Sequence, residues 1–121
     1  MNNYLVSSCL AVLLVFSSSQ GFAAGVGWLD NAPIRYFSEK DMQLMKDAVF
    51  SALSNNEDGV KSEWMNPETG HKGSITPINS KKIQGLSCRD VEMFNSAGGR
   101  TANPKYTFCQ HEDGSWKFAN K

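Results

Sequence analysis

The chain has 121 residues, of which 40% are hydrophobic, and its 12 Lys and Arg balance 12 Asp and Glu to give a formal net charge of zero. This length and composition predict one small globular domain. Nucleic acids and anionic membrane surfaces are bound by clustered excess Lys and Arg, so the balanced charge argues against both as partners.

The N-terminus has the pattern of a secretory signal peptide. An apolar run at residues 5–16 is about a dozen residues long, whereas a membrane-spanning helix needs roughly 20. The small residues Gly21 and Ala23 predict cleavage after Ala23, which makes residues 1–23 the signal. We therefore expect export to the periplasm or to the outer membrane and cell surface, with no transmembrane segment in the mature chain.

The three cysteines have different expected roles. Cys9 precedes most of the apolar run, which is the wrong side for a lipoprotein cleavage site, so we expect it to leave with the signal. Cys88 and Cys109 then remain as an even pair in a small exported domain, which predicts a structural disulfide. A domain of this size has a marginal core, and closing a loop of about twenty residues contributes on the order of 3 kcal/mol.

Residues 24–37 form a leader ahead of the first predicted element, and it contains Trp28 and Tyr36. These aromatic residues either cover an open edge of the sheet or form an exposed anchor for a partner. Trp, Tyr and Arg are enriched at binding hot spots. Trp28, Tyr36 and Arg89 are accordingly the candidate binding residues.

A single helix is predicted at residues 39–54, at the start of a domain that covers residues 38–121. Ser38 is a good N-cap residue, and Met45 and Val49 belong to an apolar series at helical spacing. The polar residues 55–59, which end in Gly59, predict the stop. An amphipathic helix of this kind packs its apolar face on a sheet.

From Val60 onward the apolar pattern changes to a period of two, which predicts antiparallel β-structure. The fold class is therefore α+β, with one N-terminal helix packed on an antiparallel sheet of about five strands and one disulfide. The predicted strands lie near residues 60–64, 73–78, 86–94, 105–111 and 115–119. They are separated by turns at residues 66–70 and 95–100 and by a looser connection at residues 80–85.

The last hairpin carries the strongest turn signal, Asp113-Gly114. If these are the two loop residues, His111 lies opposite Trp116 and Cys109 lies opposite Phe118. This register places Cys109 on the same face of the sheet as the two aromatic residues.

No residue pattern in the chain predicts catalysis or metal binding. The two histidines, His71 and His111, are not spaced like metal ligands. Asp90 and Glu92 are predicted to lie on a solvated strand face rather than to form an acid–base pair. No activated nucleophile motif is present, and Gly98-Gly99 does not open a phosphate loop. We expect a protein that is not an enzyme and that uses no cofactor or metal.

An ordered set of turn formers, cysteines and aromatic residues runs through the predicted domain: Trp64, Asn66, Pro67, Gly70, Gly73, Cys88, Arg89, Cys109, Asp113, Gly114 and Trp116. This set resembles the C-terminal domain of the bacterial 17 kDa outer-membrane surface antigens, over about residues 41–117, and the resemblance implies an architectural role for these residues. Family members are exported, usually as lipoproteins. Only Gly25 and Gly27 lie in the leader, where relatives often carry a glycine-rich membrane segment, so the likeness is to the soluble domain.

The signal, the cysteine pair and the resemblance together favour an exported envelope or surface-antigen-like domain. Its expected partner is an envelope protein or a cell-wall component. The alternative is a soluble periplasmic inhibitor or adaptor of a secreted enzyme or an envelope machine. Both readings use the same small rigid scaffold, and they differ in whether the protein fractionates with the periplasm or with the outer membrane.

Overall fold

The computed structural model describes residues 27–29 and 31–119. The predicted signal at residues 1–23, its cleavage site and Cys9 lie outside these residues. One α-helix packs on a six-stranded antiparallel sheet with the strand order β1-β2-β3-β5-β6, and β4 pairs with the end of β3. The elements are α1 (Glu39–Asn55), β1 (Ser62–Met65), β2 (Lys72–Ile83), β3 (Leu86–Ala97), β4 (Arg100–Ala102), β5 (Lys105–Gln110) and β6 (Trp116–Phe118).

The predicted α+β architecture is confirmed, and so is the disulfide, which joins Cys88 on β3 to its cross-strand partner Cys109 on β5. Helix α1 begins after Ser38, whose hydroxyl accepts a hydrogen bond from the Asp41 amide while the Asp41 carboxylate accepts one from the Ser38 amide. This reciprocal capping box satisfies two amides that would otherwise have no partner. Within the described residues, no helix combines the length and the apolar character needed to cross a bilayer.

The core lies between α1 and one face of the sheet. Met45, Val49 and Leu53 on the helix pack against Ile75 and Phe108 on the strands, and all five side chains are almost fully buried. Burying a side chain of this size stabilises the folded state by about 1.5–3 kcal/mol. This packing determines which face of the sheet is covered.

Trp28 belongs to this core, so the expectation of an exposed anchor at this residue is wrong. Its side chain is 5% exposed and makes edge-to-face contacts with Phe108 and Phe50, at centroid distances of 5.3 and 6.1 Å. It sits on a short 3-10 helix, Gly27–Leu29, and a second one, Ala32–Tyr36, follows. The leader is therefore partly folded into the domain.

The connection between β2 and β3 is tighter than expected. The two strands run on to a two-residue turn at Gln84 and Gly85, both with positive φ, instead of separating into a loop. A bulge between Ile78 and Lys81 shifts the register, and Asn79 within it has φ of 51°. The polar residues that indicated a loop are the exposed end of a strand.

The register predicted for the last hairpin is also wrong. Gln110, not His111, lies opposite Trp116, and Cys109 lies opposite Lys117. The Gly114 amide donates to the His111 carbonyl, and Gly114 has φ of 85°, so the loop contains three residues and closes with a bulge. One extra loop residue moves Cys109 to the opposite face from Trp116.

Candidate functional site

The face of the sheet opposite α1 carries an open groove with a volume of about 780 Å³. We call this side the open face. Its residues alternate with those that point to the core, so Phe94 lies between the buried residues Met93 and Asn95. The groove crosses β1, β2 and β3 and reaches Asn103, just beyond β4.

Phe94 lines the groove from the central strand β3. It is half-buried and lies opposite Ser74 of β2, which in turn lies opposite Glu63 of β1. Asn103 continues beside β3 because the Met93 amide donates to the Pro104 carbonyl at 2.9 Å. An aromatic ring is thus set in a line with a hydroxyl, a carboxylate and an amide.

The charged groups around this line balance. Lys61 and Lys72 are exposed on the β1 and β2 side of the groove. Two exposed glutamates also line it, Glu63 on β1 and Glu92 on β3. Thr76 pairs with Glu92 across β2 and β3 and adds a second hydroxyl. The groove therefore offers donors and acceptors with no net charge.

The hairpin that forms one wall of the groove is latched to the helix by Asp41. The buried Oδ1 atom of Asp41 accepts hydrogen bonds from Asn66 Nδ2 and Thr69 Oγ1, each at 2.8 Å. Its Oδ2 atom accepts from the Ser38 amide and from the Nδ1–H of His71, also at 2.8 Å. One carboxylate thereby joins the start of α1 to the turn between β1 and β2.

Asp41 stays ionised in this position. Burial alone would raise the pKa of the Asp41 carboxyl, because the charged form loses hydration. The four hydrogen bonds outweigh burial, with the Ser38 amide contributing most, and hold that pKa well below its usual range. The negative charge also lies in the first turn of α1, where the helix dipole favours it.

The motif residues of the β1–β2 turn have local roles. The Glu68 amide donates to Asn66 Oδ1, and Gly70, with φ of 74°, donates its amide to the Asn66 carbonyl. Gly73 lies under the Trp64 indole, and a Cβ at this position would be 2.3 Å from the Phe94 carbonyl oxygen and 2.6 Å from Trp64 Nε1. Glycine is therefore required where Trp64 covers the strand.

Arg89, predicted as a candidate binding residue, turns inward. Its guanidinium donates to the Leu53 carbonyl at the end of α1 and to Asp58 Oδ1, at 2.8 and 2.7 Å. Its Nε donates to the Ser80 hydroxyl in the β2 bulge. The hydrogen bond from Arg89, together with those from the amide and hydroxyl of Ser80, lowers the pKa of Asp58 to about 2. These contacts cap the helix C-terminus.

Tyr36, the third candidate binding residue, is 46% exposed. Its ring lies against Gly98 in the β3–β4 turn, and the Arg100 guanidinium lies 4.5 Å from the ring centroid. It packs at the β3–β4 turn and is not among the residues that line the groove.

The carboxylates considered for acid–base chemistry have unlike environments. Asp90 is buried and accepts hydrogen bonds from Thr107 Oγ1 at 2.6 Å and from Lys81 Nζ at 3.2 Å. Burial raises the pKa of Asp90, but these bonds outweigh it and lower the pKa overall. Glu92 is exposed and pairs in register with Lys105. Asp90 thus holds strands together on the open face next to the disulfide.

Two further motif residues, Asp113 and Trp116, also make contacts that stabilise the fold. Asp113 Oδ1 accepts from the Ser115 amide and hydroxyl in the last turn, and Trp116 Nε1 donates to Ser54 Oγ of α1. Among residues 27–29 and 31–119, no three His, Cys, Asp or Glu side chains come together in a way that could hold a metal ion. The groove residues Ser74, Phe94 and Asn103 carried no sequence motif.

The fold and the groove define a small disulfide-bonded α+β domain with one covered and one open sheet face. A sequence model of the 17 kDa outer membrane surface antigen family matches residues 51–117, which include β1 to β5. The chain belongs to this family, so the resemblance seen in the sequence is confirmed.

The chain is similar to named rickettsial proteins. It is 30% identical over 83 residues to the 17 kDa surface antigen of Rickettsia bellii (strain RML369-C), which is 68% of this chain and 52% of the relative. The 17 kDa surface antigens of Rickettsia prowazekii (strain Madrid E) and Rickettsia rickettsii are each 29% identical over the same shares of the two chains. The chain thus spans about half the length of the curated relatives it matches. No solved structure matches it.

Proposed function

We propose that this chain is an exported, non-enzymatic envelope protein whose open sheet face binds another component of the cell envelope. The observation that carries the proposal is the groove on the open face, since the opposite face is already filled by α1 and Trp28. Its volume of about 780 Å³ falls within the usual range of ligand sites. Membership of a surface antigen family supports location in the envelope.

The buried polar groups of the described residues support a role without catalysis. The two buried carboxylates, Asp41 and Asp90, each accept hydrogen bonds from several neighbouring side chains. Both therefore serve the fold, and the charges of the groove belong to exposed side chains that retain water. Such groups suit recognition better than proton transfer, for which burial usually shifts the pKa.

Binding by the open face is tested by photocrosslinking in the cell that makes the protein. A benzophenone amino acid replaces Thr76 in the groove, and in a matched control it replaces Gln43, which is exposed on the helix side. We expect crosslinks to an envelope component, identified by mass spectrometry, from position 76 and not from position 43. Crosslinks from position 43 alone, or equal crosslinks from both positions, would refute binding through the open face.

Export is tested separately by the intact mass of the protein from its native cell fraction, before and after reduction and alkylation. We expect a chain that begins at Ala24, with Cys88 and Cys109 alkylated only after reduction. A mass that includes Met1, or one that begins at an acylated Cys9, would contradict this processing.

A further inference from the structure

We propose that the ligand of the open face is an uncharged, hydroxyl-rich glycan strand that lies across the sheet with one sugar ring on Phe94. This inference rests on the proposed function and names the chemical class of the envelope component. It is argued from the arrangement of groups in the groove.

Phe94 provides the apolar contact. It is half-buried and lines the groove from β3, between Met93 and Asn95, whose side chains point to the core. The face of an aromatic ring carries partial negative charge. A sugar ring presents C–H groups with partial positive charge on one of its faces, so the two surfaces complement each other.

The polar groups around Phe94 match hydroxyl groups. Glu63 and Glu92 supply acceptors, Lys61 and Lys72 supply donors, and the amide of Asn103 supplies both. A sugar hydroxyl both donates and accepts, so a polyol can use every one of these groups. A ligand with only acceptors or only donors would contact only half of these groups.

The charge balance of the groove selects against a polyanion. Two lysines attract an anionic polymer, but Glu63 and Glu92 lie among them and repel it. An extended protein segment would gain most from deep apolar pockets. Of the four large apolar side chains that border the groove, Trp64 and Met93 are buried in the core, which leaves Phe94 and the edge residue Met65 for contact with a ligand. An uncharged glycan meets neither objection.

The length of the groove fits a chain of sugars. It crosses β1, β2 and β3 and extends to Asn103, so it covers four neighbouring backbone segments. With strands about 4.8 Å apart, the groove is on the order of 14 Å long. This length exceeds a single sugar ring, so several consecutive units can contact the sheet.

The test is a nuclear magnetic resonance titration of the disulfide-bonded protein, purified from its cell fraction, with chitohexaose and cellohexaose. We expect saturable shifts at the amides of Ser74, Thr76 and Phe94, and no such shifts with a heparin hexasaccharide. Phe94→Ala should weaken binding at least about tenfold, whereas Phe94→Tyr, which keeps the ring, should stay within about threefold.

A second variant keeps the proposal testable if Phe94→Ala fails to fold. Asn103 is exposed, so Asn103→Ala should leave the melting temperature unchanged and weaken binding by about threefold to tenfold. Gln43→Ala, on the helix side, is the matched control and should bind like the parent. Binding of the hexasaccharides to Asn103→Ala with the affinity of the parent, or shifts confined to amides outside the groove, would overturn the proposal.

Failure of the glycan and failure of the proposed function give different results. If neither hexasaccharide binds the folded protein and position 76 crosslinks to an envelope protein, the glycan proposal is overturned while binding through the open face stands. If neither hexasaccharide binds and position 76 gives no specific crosslink, both proposals are overturned.

Discussion

Replacing Asp41 by alanine should strongly destabilise the domain, because one buried carboxylate accepts hydrogen bonds from four neighbours. Asp41→Ala removes the acceptor of Asn66, which is itself buried, and of Thr69 and His71. It also removes the reciprocal half of the capping box with Ser38. The matched control is Asp47→Ala on the same helix, where the carboxylate is exposed and accepts from Gln43.

The expected loss follows from these contacts. A buried donor left without a partner costs about 1–3 kcal/mol, and loss of a helix cap costs about 1 kcal/mol. With Asn66 as the fully buried donor and the cap added, the free energy of unfolding should fall by about 2–4 kcal/mol. For a domain of this size, that lowers the melting temperature by roughly 8–32 °C. Asp47→Ala should change the free energy of unfolding by less than about 0.5 kcal/mol.

The same residue gives a pH dependence of known sign. The folded pKa of Asp41 lies below its unfolded value of about 3.9, so the unfolded chain binds this proton more tightly. Its stabilising contribution is therefore complete well above pH 4 and is lost as the pH falls toward the folded pKa. Other aspartates contribute in the same direction, so the difference between parent and variant isolates Asp41.

The assay is urea unfolding of the parent, Asp41→Ala and Asp47→Ala proteins at pH 7 and pH 3. The stability gap between parent and Asp41→Ala should narrow at the lower pH, while the gap to Asp47→Ala stays small throughout. If Asp41→Ala unfolds within 1 kcal/mol of the parent at pH 7, or if the gap is the same at both pH values, this account of the latch is wrong.

Three further variants or treatments test the scaffold. Reducing Cys88–Cys109, whose separation is 21 residues, should cost about 3 kcal/mol and lower the melting temperature by roughly 12–24 °C; an unchanged melt in reductant would contradict a structural bridge. Gly114→Val should lower the free energy of unfolding, measured in urea, by about 1–2 kcal/mol because φ is positive at this position, and Gly114→Asn should lower it less. Equal stability of both variants and the parent would contradict a positive φ in this turn. Arg89→Ala should lower the free energy of unfolding by about 2 kcal/mol, because the carbonyls at the end of α1 lose their hydrogen-bond donor. Arg100→Ala on the surface should lower it by less than about 1 kcal/mol. If Arg100→Ala melts at a lower temperature than Arg89→Ala, the capping role of Arg89 is refuted.

Several parts of the fold could be predicted because they depend on local chemistry. Ser38 and the spacing of Met45 and Val49 predict where α1 begins and which side is buried. Cys88 and Cys109 are the two cysteines that remain after the predicted signal, and this even number predicts the disulfide between them. These signals act within one element, or through a count, and need no knowledge of how the strands are arranged.

The errors have a common physical origin in longer-range packing. Asp113-Gly114 suits both a two-residue and a three-residue loop. Strand pairing along the whole hairpin selects the three-residue loop, and this places Cys109 on the opposite face from Trp116. Trp28 stands in a segment without periodicity, and its burial depends on contacts with Phe50 and Phe108, which are distant in sequence.

The groove could not be predicted for a related reason. Glu63, Ser74, Phe94 and Asn103 come from different strands, and they form a line only through the observed pairings. Phe94 also alternates with the core residue Met93, so its face is decided by which side of the sheet α1 covers. Sequence alternation by itself gives no basis for choosing which face of the sheet α1 covers.

The most direct measurement of binding through the open face is amide hydrogen exchange of the protein in isolated native envelopes, compared with the purified protein. We expect added protection in peptides from β1 (Ser62–Met65), β2 (Lys72–Ile83) and β3 (Leu86–Ala97), with unchanged exchange in α1 (Glu39–Asn55). Added protection confined to α1, or identical exchange in the two samples, would contradict binding through the open face.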